Sequence, residues 1–200
     1  MSTEKLSLGR LKYSKEENFE HNSAAAASPE FCRCGAFSKE GFIEHQQNLC
    51  LRCGAKTAAY CGCGFIAAFN LLSTEGKKPE IPALVSEFEH GLVLGGVLGT
   101  SPLFMLRFLQ KNFSSARLYF SRRRFLKSGP RRGVIFYMRK NFSAHYAAFS
   151  AAETASFAFI TIGARVLPKA WRNFLWKKTG GFFCAMRWNR QGLFAPPYIK

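Results

Sequence analysis

The stretch that most constrains this chain is residues 60–72, Tyr-Cys-Gly-Cys-Gly-Phe-Ile-Ala-Ala-Phe-Asn-Leu-Leu. Two cysteines, each followed by glycine, open a run of small and apolar residues. Phe65, Ala68, Phe69 and Leu72 recur at helical spacing, so the run predicts a helix that begins at Cys63 and faces a core. A thiol at the first position of a helix stands where the dipole and the unpaired N–H groups favour thiolate. The same residues also describe a buried helix that happens to start with two cysteines. What lies downstream has to choose between the two.

Composition narrows the choice. The chain has 200 residues, almost half of them hydrophobic with 21 Phe, enough for one ordinary core or a small module plus one domain. Its formal charge is +17, unevenly spread. Through residue 56 there are eight Lys/Arg against seven Glu; after it there are 21 against five, and no acidic residue occurs between Glu89 and Glu153. Such a field attracts nucleic acid, anionic lipid or acidic protein. There is no Asp anywhere, so mechanisms that need an Asp base, ligand or triad member are excluded. Residues 1–30 are polar, without the apolar core of a secretory signal, and are expected to be a flexible tail. The longest apolar run, residues 91–106, holds four glycines and a proline, and its roughly 16 residues fall short of the ~20 of a spanning helix. No membrane partner is expected. Seven cysteines without an export signal point to thiol or metal chemistry in a reducing, cytoplasmic compartment.

Two knuckles, Phe31-Cys32-Arg33-Cys34-Gly35-Ala36 and Leu49-Cys50-Leu51-Arg52-Cys53-Gly54-Ala55, face each other across a 15-residue connection. Zinc needs four soft or nitrogen ligands in a tetrahedron, and Cys32, Cys34, Cys50 and Cys53 supply two from each knuckle, with His45 as a substitute. The segment 31–56 resembles the short zinc ribbons at the N-termini of many bacterial proteins, although its first knuckle is one residue short of Cys-x-x-Cys. A structural zinc is the expectation, because so short a segment has little core of its own.

From residue 57 the pattern becomes that of one larger domain, 57–200. Helices are expected from Cys63, over residues 81–90, and from Pro102 to about Asn112, where Thr100 or Ser101 caps and Pro102 takes the first position. Residues 91–99 read as a glycine-rich loop. Strands are expected at 116–120, 133–138, 145–149, 157–162 and 181–187, with a helix at 171–177. Helices first and antiparallel strands later make an α+β fold.

The order of a cysteine at a helix start, two more helices, then strands with His145 heading the second, resembles papain-like cysteine peptidases of the bacteriocin-processing type. The matching residues are Cys63-Gly64-x-x-Ala67-x-x-Asn70, Gly99-Thr100-Ser101-Pro102, Val134-Ile135-Phe136-Tyr137 and Ala144-His145-Tyr146-Ala147-Ala148. The resemblance covers about residues 60–190. It implies a papain-like domain that cleaves a peptide or amide bond in a peptide or protein substrate, with Cys63 as nucleophile and His145 as general base. Thr161 falls where the family has the Asn or Asp that orients the imidazole, and the Gln that usually precedes the nucleophile is missing. An inactive relative is therefore the alternative. Cys61 is the rival nucleophile, but it has Phe65 where Cys63 has Ala67.

Arg122, Arg123, Arg124, Lys127, Arg131, Arg132, Arg139 and Lys140 lie among Phe120, Phe125, Phe136, Tyr137 and Phe142. Cations interleaved with aromatics suit single-stranded nucleic acid, by phosphate contact and base stacking. A nucleic-acid-binding protein is the second alternative, and a peptidase whose positive groove selects acidic peptides is the third.

Overall fold

The computed structural model describes residues 13–113, 116–128, 132–138, 144–151, 157–159, 164–166 and 183–188. Helices fill the first half and an antiparallel sheet the second, an α+β arrangement. The first helix is a departure from expectation. Residues inside the expected flexible tail form α1 (Lys15–Ala27), started by Ser14, whose Oγ accepts from the Glu17 N–H at 3.1 Å, with Glu16 and Glu17 in its first turn. Ser28 ends α1 and caps α2 (Pro29–Arg33), where Pro29 stands at the first position and the Phe31 N–H donates to Ser28 Oγ.

Helix α1 has almost no apolar face; the residues it buries are Asn18 and Asn22. These amides dock it. Asn22 Nδ2 donates to the Arg52 carbonyl at 2.9 Å and its Oδ1 accepts from the Arg52 N–H at 2.8 Å. Asn18 Nδ2 donates to the Gly54 carbonyl and to Glu89 Oε1. The two-stranded hairpin β1 (Arg52–Cys53) and β2 (Lys56–Thr57) thus gains an edge partner that is a helix side-chain row, a way of satisfying exposed strand groups.

Segment 31–56 does not stand apart as a module. Phe31, Ala36, Ile43, Leu49, Leu51 and Cys53 belong to the same core as the central helices. Asn70, buried in mid-helix, donates from Nδ2 to the Ile43 carbonyl and accepts the Ile43 N–H on Oδ1, both at 2.8 Å. One side chain replaces a strand partner for Ile43.

The short helix α3 (Ala58–Cys61) runs through Gly62 into α4 (Cys63–Ser73), of which residues 63–72 are all buried. Helix α5 (Ile81–Glu89) buries Pro82, Leu84, Val85 and Phe88, and α6 (Pro102–Asn112) buries Met105, Phe108 and Leu109. Phe88 meets Phe104 and Phe108 edge-on at 5.3 and 4.9 Å. Between α5 and α6 the glycine-rich connection closes on itself. Leu92 bridges Thr100, and the Ser101 N–H donates to the Gly91 carbonyl.

Among the described residues the main sheet has the order β3-β8-β4-β5-β6-β7, antiparallel throughout. Its strands are β3 (Arg117–Tyr119), β4 (Arg132–Met138), β5 (Ala144–Ala151), β6 (Phe157–Phe159), β7 (Ala164–Val166) and β8 (Phe183–Trp188). The basic stretch after β3 forms the short helix α7 (Arg122–Lys127). Helix α4 lies on β5 and β4. Val134, Phe136, Tyr146 and Ala148 join its core. Alternation gives the other face to Ile135, Tyr137, Ala147 and Phe149, where Phe125 of α7 meets Phe149 edge-on at 5.7 Å. The helix expected at 171–177 lies outside the described residues.

Candidate functional site

Cys63 opens α4 and is buried, 7% exposed. His145 is the second residue of β5, half-buried, opposite Tyr137, with ring centroids 5.5 Å apart. Thr100 ties the two neighbourhoods together. A Cβ on Gly64 would lie 2.2 Å from Thr100 Oγ1, so only glycine lets the first turn of α4 rest against that threonine. On the other side the Tyr146 hydroxyl donates to the Thr100 carbonyl at 3.0 Å. The residue after Cys63 and the residue after His145 therefore touch the same buried threonine.

Two details bear on the chemistry. Tyr146 points to α4, so strand alternation gives His145 the parity of Tyr137 and Ala147. Gln46, one of the three amides upstream with Gln47 and Asn48, donates from Nε2 to the carbonyls of Ala58 and Ala59, at 2.9 and 3.0 Å, holding α3. Thr161 lies outside the described residues, as do Arg131, Arg139, Lys140 and Phe142.

Cys61, the rival thiol, is buried two residues before Cys63. Its Sγ donates to the Cys53 carbonyl at 3.2 Å and lies 3.5 Å from the Thr57 carbonyl. Its neighbour is the thiol of Cys53. That thiol is pushed well above the ordinary range by Cys61 and by burial, while its hydrogen bond lowers Cys61. Gly96, at φ 99°, covers the pair: a Cβ there would come within 3.0 Å of Cys61 Sγ. This pairing was not legible in the knuckle spacing, which assigned Cys53 to Cys50.

The four expected zinc ligands are split. Cys53 is turned into the core beside Cys61, whereas Cys32 and Cys50 are exposed. Cys34 and Cys50 line a surface cavity of about 390 Å³ with Phe31 and Glu30. Among the described residues no three of His, Cys, Asp or Glu are grouped to hold a metal. In this arrangement the residues do not fit a zinc tetrahedron.

The basic region is also redistributed. Arg122 opens α7, and Arg123, Arg124 and Lys127 are exposed on it. Arg132 is ion-paired with Glu75. Of the interleaved rings, Phe125, Phe136 and Tyr137 are buried and so closed to base stacking, whereas Phe120 is 68% exposed. A larger cavity, about 570 Å³, lies between α1, the β1–β2 hairpin and α3, lined by Tyr13, Asn18, Gly54, Lys56, Thr57 and Tyr60. No helix of the described residues is long and apolar enough to cross a membrane. No protein-family model and no curated protein sequence matches this chain.

Proposed function

We propose that this chain is a papain-like hydrolase of peptide or amide bonds, with Cys63 as nucleophile and His145 as its base. The observation that carries the reading is that the helix opened by Cys63 lies on the strand headed by His145, with Thr100 braced between their neighbours. The Cys63 sulfur adds to the substrate carbonyl while His145 takes the thiol proton. The C–N bond then breaks, the imidazolium protonates the departing amine, and water releases the acyl group. Thr161 would accept from the imidazole N–H and orient it. The excess of cations beyond residue 56 suits a peptide rich in acidic residues.

Iodoacetamide labelling resolved by mass spectrometry tests this. Cys63 should react far faster than Cys61, and Cys63→Ala should remove the fast phase. A second reading, a relative that keeps the fold without the reaction, is favoured by the parity of His145 and by the commitment of Gln46 to α3. Uniformly slow labelling in a chain whose melting is cooperative would establish that second reading and remove the first.

A further inference from the structure

The connection between α5 and α6 holds a strained backbone position under an exposed side chain. Leu94 has φ 50° and ψ 50°, left-handed backbone that a leucine rarely adopts, and its side chain is 60% exposed. The turn it makes with Gly95 places the Gly95 carbonyl on the Ala55 N–H, while the leucine side chain itself is left to solvent. Leu98, also 60% exposed, stands beside it, with Val93 and Val97 partly exposed. The loop is kept tight by the Val93 N–H on the Gly99 carbonyl, the Leu98 N–H on the Val93 carbonyl and the Val97 N–H on the Leu94 carbonyl. It is therefore an apolar knuckle with exposed side chains, and Leu103, 63% exposed, follows it in the first turn of α6.

The charge that follows this knuckle in the chain is of one sign. The Ala55 N–H donates to the Gly95 carbonyl, which brings the β1–β2 turn against the loop; the Lys56 ammonium lies over the Tyr60 ring, and Arg107 is exposed one turn beyond Leu103. The nearest preceding acids are engaged elsewhere. Glu87 pairs with Lys111, and Glu89 is buried under Asn18 and Gly54. From residue 90 to 152 there are eleven Lys/Arg and no acid. A protruding aliphatic tip on a cationic body fits a surface that offers hydrocarbon beneath a layer of negative charge.

We propose that Leu94, Leu98 and Leu103 seat this protein on the surface of an anionic lipid bilayer, with Arg107 at the headgroups. The proposal is independent of the peptidase reading. It goes against the sequence expectation of no membrane partner, because exposure of the leucines was not visible in the run 91–106.

Flotation with vesicles of phosphatidylcholine alone and with added phosphatidylglycerol tests it. The full chain should float with the anionic vesicles, more weakly with neutral ones, and salt should reduce but not abolish binding. Leu94→Gly relieves the backbone, so its melting temperature should be unchanged or higher while binding falls. Leu94→Ser with Leu98→Ser should lose about tenfold or more in binding. Absence of flotation, or equal flotation of these variants, overturns the proposal. Self-association of the chain without vesicles that the same variants abolish would assign the knuckle to a second copy and overturn it too.

Discussion

Asn70 shows how much one side chain decides in this fold. Its amide serves both backbone groups of Ile43 from inside a wholly buried helix, so Asn70→Ala strands a donor and an acceptor away from water. A loss of about 2–4 kcal/mol is expected, read as a lowered midpoint in urea with an unchanged slope. Gly64 is a second such position. Adding a methyl group against Thr100 forces a shift of helix or threonine, and Gly64→Ala should cost about 1–3 kcal/mol by thermal or chemical denaturation. The thiol pair makes a pH prediction. Cys53 holds its proton in the folded chain beyond the ordinary thiol range, so its contribution is complete below about pH 9 and is lost as the pH rises through the folded value. Cys61, lowered by the same hydrogen bond, works in the opposite sense and begins to ionise earlier. Cys61→Ala removes the partner that raises Cys53 and should flatten the alkaline decline in stability, measured as midpoint against pH from 8 to 11.

At the scale of elements, legibility followed the kind of interaction that holds each one. Helices α4, α5 and α6 were legible because apolar stripes, a capping position and Pro102 all act locally, and the β4–β5 pair was legible from its runs of Val, Ile, Phe and Tyr. Helix α1 was not, because Asn18 and Asn22 bind it to a hairpin some thirty residues away and leave no periodic apolar trace. The cysteine knuckles show a related limit of spacing. Spacing along the chain says which thiols are near in sequence, whereas Cys53 is turned by its hairpin toward Cys61. Of the candidate site, the helix start and the strand bearing His145 were legible, and the threonine between them was seen only as a cap. Helix α1 should be separable: Asn22→Ala should expose Arg52 to the protease trypsin before the rest of the chain unfolds, detected as an early cut at that residue.

For the molecule as a whole, charge rather than shape sets how it meets polyanions. With +17 formal charge and most of the described aromatic side chains buried, it should bind oligonucleotides loosely, without base preference, and with affinity falling steeply as salt rises. Replacing Arg123 and Arg124 by Glu should reduce the slope of log affinity against log salt by about two. A preference for particular bases that survives at high salt would argue for a stacking surface that these residues do not provide. The same Thr100 that rests on Gly64 also closes the connection bearing Leu94 and Leu98, through its bridge to Leu92. One buried threonine thus joins the apolar loop to the first turn of α4, and the expected outcome is an altered alkylation rate of Cys63 when anionic vesicles are added.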